Sequence, residues 1–138
     1  MTIRRFDLRD FAGVEALWNA CFPDDPPHSR AQVAIPQKLA FQPELFWVAI
    51  GGERVIGSIM AGYDGHRGWL YSVAVLPGEQ GHGLGARLVR TAEDALRALG
   101  CTKVNLQVRD TNKAVAGFYA GLGYAEEPRI SMGRWLQD

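Results

Sequence analysis

The stretch from Leu70 to Leu99 reads as a strand, a glycine-studded turn and a helix. It runs Leu70-Tyr71-Ser72-Val73-Ala74-Val75, then Leu76-Pro77-Gly78-Glu79, then Gln80-Gly81-His82-Gly83-Leu84-Gly85-Ala86. Glycines at 81, 83 and 85 let the backbone approach a bulky group without interference from Cβ atoms. The helix that follows aims unpaired N–H groups and the positive end of its dipole at the same point. Such a junction accommodates an anion, most naturally a phosphate or pyrophosphate.

Spacing separates three phosphate-binding readings. A P-loop needs a Lys-Ser or Lys-Thr pair at the helix start, whereas this chain continues Gly85-Ala86-Arg87, so no lysine reaches a phosphate and no hydroxyl is offered to magnesium. Gly81-x-Gly83-x-x-Ala86 formally matches the dinucleotide fingerprint, with Asp110 downstream, but Pro77 and a short loop separate it from its strand. Too few residues follow Ala86 for the remaining strand-helix units. The third pattern is Gln or Arg, two residues, Gly, one residue, then Gly or Ala, and Gln80-x-x-Gly83-x-Gly85 matches it. That is the coenzyme A loop of the GNAT superfamily of N-acetyltransferases, which the chain resembles. The resemblance extends to Val73-Ala74-Val75-x-Pro77 before the loop, and to Leu106-Gln107-Val108-Arg109-x-x-Asn112 and Phe118-Tyr119-x-x-x-Gly123-Tyr124 after it. Gly62-Tyr63-Asp64-Gly65-His66-Arg67-Gly68 is similar to the hairpin of the small bacterial YpeA-type acetyltransferases.

At 138 residues and 47% hydrophobic, the chain is read as one domain, residues 1–138, large enough to bury a core without disulfides or metals. Fifteen basic and fifteen acidic side chains cancel, which removes the electrostatic footprint of a nucleic-acid binder. No apolar run approaches the ~20 residues needed to cross a bilayer, and the start Met1-Thr2-Ile3-Arg4-Arg5 lacks the apolar core of a secretory signal. The expected setting is cytoplasmic, with no membrane partner. Cys21 and Cys101 form no Cys-x-x-Cys or Cys/His cluster, so no metal is expected.

Along the chain, Ile3–Phe6 alternates like a first strand, and Asp7 or Asp10 caps a helix carrying Phe11, Val14, Ala16, Leu17 and Trp18. A second helix is expected within His28–Ala40, kinked or split by Pro36. Leu45–Ile50 and Val55–Ala61 read as strands paired about Gly51-Gly52-Glu53-Arg54, and Asp64–Gly68 supplies the next turn. A long helix from about Gly83 to Leu99 is closed by Gly100, and Val104–Val108 follows as a fifth strand. Asn112 caps a short helix to Ala120, with two final strands around Tyr124-Ala125 and Arg129–Trp135. The fold class is α/β. The resemblance implies a mixed, mostly antiparallel twisted sheet of six to seven strands flanked by about four helices, splayed between the fourth and fifth strands.

The resemblance also implies acetyl-CoA as co-substrate, held by Val73, Ala74, Val75, Gln80, Gly81, His82, Gly83, Leu84, Gly85, Ala86, Asn112 and Tyr119, with Tyr119 protonating the leaving thiolate. An alkylammonium with a pKa of about 10.4 is almost wholly protonated at pH 7, so the amine acceptor needs a base or a shifted pKa. Ribosomal-protein N-terminal acetyltransferases carry a glutamate where this chain has Gln107, and glutamine cannot take a proton. Asp64, His66, Tyr71, Glu126 or Glu127 could act through water, or the amine could arrive neutral. Trp47, Tyr63, Tyr71 and Gln107 are the candidate acceptor contacts. The acceptor is expected to be a small-molecule or peptide amine, and a homodimer is compatible with Ile130, Met132 and Trp135. Loss of the glutamate leaves a non-catalytic acyl-CoA sensor as the rival reading. A dinucleotide-binding oxidoreductase is the weakest.

Overall fold

Two tight turns set the sheet. The computed structural model describes residues 1–137, and in it the strands β2 (Phe46–Gly51) and β3 (Arg54–Tyr63) join through Gly52-Glu53, with Gly52 at φ 64°. A two-residue hairpin turn with positive φ matches the right-handed twist of its strands. β3 then passes into β4 (Gly68–Val75) around Asp64, whose carboxylate accepts from the backbone N–H groups of His66 and Arg67 at 2.7 Å each. With β1 (Thr2–Arg5) and β5 (Val104–Leu106) the sheet runs β1-β2-β3-β4-β5, antiparallel throughout except for the parallel β4–β5 pair.

The helices are α1 (Phe11–Cys21), α2 (Ala31–Ala40), α3 (Leu84–Ala98) and α4 (Lys113–Gly121). Register assigns the faces. Phe46 sits opposite Met60 and Met60 opposite Tyr71, while Trp47 sits opposite Ile59 and Ala61 opposite Leu70. Because side chains alternate along a strand, the first set faces one way and the second set the other. Val14, Leu17, Trp18 and Ile35 of α1 and α2 cover the first face, packing with Phe46, Val48 and Met60. α3 covers the second, Leu88 lying against Gly57 and Leu96 against Gly68. Leu17 and Leu88, both fully buried, each contribute about 2 kcal/mol of apolar burial.

The entry to α1 is held by charge. Asp7 and Asp10 form a reciprocal capping box around the 3₁₀ turn Leu8–Asp10 that leads into α1, and Arg4 of β1 clamps the Asp10 carboxylate in two hydrogen bonds of 2.7 and 2.9 Å. That guanidinium holds the buried Asp10 carboxyl below its ordinary range.

Three expectations change. Helix α2 begins at Ala31, and Pro36 lies inside it without splitting it. Proline there removes the N–H that would bond the Gln32 carbonyl, while buried Ala31 and Ile35 before it and buried Lys38 after it hold the helix against the core. β5 is three residues long rather than five. The two final strands do not form, so the described residues hold five strands and not six or seven. Pro128 lacks a donor, and Ile130 and Met132, alternating as in a strand, are 89% and 90% exposed, so no burial drives them to pair. By contact the chain divides into Met1–Gln107 and the segment from Val108 onward. Within the latter, Asn112 caps α4 by accepting from the Val115 N–H at 3.3 Å, as expected.

Candidate active site

The strand β4 carries an irregularity at the place where the sequence motif begins. Ser58 pairs with Ala74 and Met60 with Tyr71, so Ile59 alone faces both Ser72 and Val73. This is a bulge on β4, and Ser72 sits in the left-handed region at φ 52°. A buried chain of hydrogen bonds holds it. The Trp18 indole N–H donates to Ser58 Oγ at 2.9 Å, and the Ser58 hydroxyl donates to the Ser72 carbonyl at 2.9 Å. The far end of β4 is pinned as well, since the Val75 carbonyl accepts from the Cys21 thiol at 3.4 Å and from Gln80 Nε2 at 3.0 Å. Burial pushes the Cys21 thiol up, away from the thiolate a nucleophile would need.

On its other edge β4 is paired only at its start. Gly68, Trp69 and Leu70 align with Val104, Asn105 and Leu106, and β5 ends there. Tyr71 to Val75 therefore have no partner strand on that edge among the described residues, and the backbone is open to a ligand. The open edge leads into the exposed turn Gln80-Gly81-His82-Gly83 and then into α3. Gly81 and Gly83 lie at φ 87° and 78°, with nothing within 4 Å of a Cβ added at either. Positive φ explains why glycine stands there, and the open space is what a bulky ligand needs. No side chain caps α3 at Gly83, so its first N–H groups stay available to an anion.

An open strand edge thus runs into an uncapped, glycine-lined helix start. The model of the acetyltransferase (GNAT) family matches residues 11–124. The chain belongs to the GNAT acetyltransferases. An acetyltransferase of Yersinia enterocolitica is 41% identical over 138 residues, covering 99% of this chain and 96% of that protein. Among solved structures, the PaiA N-acetyltransferase of Thermoplasma acidophilum in complex with coenzyme A superposes with a TM-score of 0.83 at 16% identity, covering 94% of this chain and 92% of that one. The NatC complex bound to Gag peptide and coenzyme A gives 0.79 at 25% identity, covering 94% and 87%. The fold is that of the GNAT family, and the protein is an acetyl-CoA-dependent acetyltransferase. The open edge, the clear space beside Gly81 and Gly83 and the uncapped helix suit the coenzyme's backbone-binding pantetheine and its pyrophosphate.

Other GNAT candidates are scattered. Trp47 is only 6% exposed on the α3 face of the sheet, and alternation puts Tyr63 on that face too, whereas Tyr71 lies on the face of α1 and α2. The sheet therefore separates Trp47 and Tyr63 from Tyr71. Gln107 is exposed just past β5. Asp64 is committed to its turn, whose amide bonds hold its carboxyl below the ordinary range. Roughly 17 Å of strand, five residues at about 3.4 Å each, separate the Gly68 end of that hairpin from Val73, which places Asp64 and His66 far from the bulge. In the other unit Tyr119 is 7% exposed, edge-on to Phe118 and Tyr124 at 5.0 and 5.7 Å between ring centroids. Burial pushes its phenol up to about 12.

One residue escaped the sequence reading. Lys38 of α2 is 5% exposed, and its ammonium donates to the Ala61 carbonyl and, at 2.8 Å, to the Tyr71 hydroxyl. Its Nζ also lies 5.2 Å from the centre of the Tyr71 ring. The signal was present in the spacing: Ala31, Ile35 and Lys38, four and three residues apart, fall on one buried helix face. Among the described residues no group of three or more His, Cys, Asp or Glu side chains is placed to hold a metal. Among the described residues no helix is long and apolar enough to cross a membrane.

Proposed function

We propose that this GNAT enzyme acetylates a primary amine, of a small molecule, a peptide N-terminus or a lysine, by direct attack within a ternary complex. The observation that carries this reading is the open edge of β4 leading into the uncapped start of α3. When bound, acetyl-CoA supplies a thioester whose C–S bond breaks as the amine forms its C–N bond. In this reading the Val73–Val75 backbone and the Gly81–Ala86 turn bind and orient the coenzyme, with Gln80 fixing the turn through the Val75 carbonyl and His82 lying within it. Asn112 caps α4 with its side-chain oxygen, which leaves its amide N–H₂ to contact the coenzyme. Tyr119, protonated at any assay pH because burial raises it to about 12, donates its hydroxyl proton toward the leaving sulfur, and the N–H proton shed as the amide forms returns through water to restore the phenol. The NatC complex, whose structure holds Gag peptide and coenzyme A, supports a peptide amine among the acceptors to be tried first.

A second reading, a coenzyme-binding sensor without turnover, draws on Gln107 in place of a carboxylate. Acetyl-CoA-dependent thiol release across a panel of amines, dipeptides and protein N-termini, with calorimetric binding of acetyl-CoA alongside, separates the two. The transferase reading expects binding and amine-stimulated release. Binding with no release from any acceptor favours the sensor, and absent binding overturns both.

A further inference from the structure

The most unusual group in Met1–Gln107 is a lysine buried inside the α1/α2 face with its nitrogen on a tyrosine hydroxyl. Burying a lysine carries a desolvation cost, which its hydrogen bonds to the Ala61 carbonyl and the Tyr71 hydroxyl offset. Its partner stands at an informative point. Tyr71 is the first residue of β4 beyond the β5 pairing, and it directly precedes the bulge residues Ser72 and Val73. It is 41% exposed while Lys38 behind it is 5% exposed. The pair thus links the open edge of β4 to a proton acceptor shut away from bulk water.

We propose that Tyr71 and Lys38 form the relay that takes the proton from the acceptor amine, Tyr71 as the catalytic residue and Lys38 as the group behind it. The inference rests on the transferase reading above. In the step, an N–H bond of the acceptor ammonium breaks and its proton passes to Tyr71 Oη. The Tyr71 hydroxyl proton passes in turn to the neutral Lys38 amine. The amine is left neutral with a free lone pair, the phenol is regenerated and the lysine ends as ammonium, so charge and protons balance. No carboxylate is required, which accounts for Gln107.

The electrostatics agree with the geometry. Burial lowers Lys38 to about 8, so a fraction of the lysines is neutral near pH 7 and most are by pH 9. Burial raises the Tyr71 phenol, keeping its own proton on and making it a conduit rather than a standing phenolate. The groups that face Lys38 are few. β4 supplies the Tyr71 hydroxyl, β3 the Ala61 carbonyl, and the turn after α2 supplies Glu44, whose charge raises Lys38 against the larger effect of burial.

The test uses the intact protein, with Tyr71→Phe and Lys38→Met variants. Acetyl-CoA affinity is measured by calorimetry, and amine-dependent thiol release is followed from pH 6 to 9 with the best acceptor from the amine and dipeptide panel. The expected result is acetyl-CoA affinity unchanged in both variants, release at pH 7 down by about 100-fold or more, and loss of the wild-type rise through pH 8. Wild-type rate and profile in Tyr71→Phe would overturn the relay while leaving the transferase reading intact. Failure of wild type to bind acetyl-CoA would overturn both. Independently of any acceptor, NMR titration of the Lys38 side chain should show a midpoint near 8 that moves in Tyr71→Phe; a lysine titrating at its ordinary value sinks the relay.

Discussion

Tyr71 and Tyr119 are the same residue in two environments, and the proposed mechanism gives them opposite tasks. Tyr71 is partly exposed on an open strand edge, with its oxygen on a buried lysine that titrates near 8. Tyr119 is enclosed by aromatic rings on α4 and after it, and its phenol is held at about 12. Burial raises both phenols, so what distinguishes them is the lysine behind Tyr71, which can take a proton passed inward, whereas Tyr119 stays protonated through the assay range and is available as a donor. In the proposed mechanism, acid and base roles are thus separated by surroundings rather than by residue type.

The sharpest way to break the comparison is Tyr119→Phe. It should cost about 100-fold or more in kcat while leaving the ascent through pH 8 in place, and normal turnover would remove Tyr119 from its role. Lys38 marks only the Tyr71 side. Its folded-state value lies below its ordinary 10.5, so between about pH 8 and 10.5 the unfolded chain binds a proton that the folded one does not. Stability should rise with pH across that window, by on the order of 3 kcal/mol from this group, and chemical denaturation of Lys38→Met should show a flatter slope. Ser58→Ala strips the buried Trp18 indole and the Ser72 carbonyl of their partner. A loss of about 2 kcal/mol in unfolding free energy is expected. The smallest effect is Gly83→Val, which strains a residue at φ 78° and should weaken acetyl-CoA binding about tenfold by calorimetry. Rates at saturating coenzyme should change little.

The local signals were legible where chemistry and spacing coincide. Gly81 and Gly83 announce positive φ, Asn112 announces a cap, and the turns at Gly52 and Asp64 follow from residue type alone. The end of the chain misled for a physical reason. The Arg129–Trp135 alternation resembles a strand, but alternation only offers a face, and a strand also needs an edge to pair with and burial for that face. The Lys38–Tyr71 pair lay out of reach for a different reason. Helical spacing puts Lys38 on the buried face, yet the partner is 33 residues away, and only the β3–β4 register brings it under the lysine. Likewise, the aromatic residues Trp47, Tyr63 and Tyr71 look equivalent in sequence until register sorts them onto opposite faces.

The measurement that tests this division of labour most directly is the pH dependence of amine-stimulated thiol release by the wild-type enzyme from pH 6 to 10 at saturating acetyl-CoA. The rate should climb with an inflection near 8, where Lys38 loses its proton, and should not fall again by pH 10, because Tyr119 stays protonated to about 12. A profile flat through pH 8, or one that falls below pH 9, would contradict it.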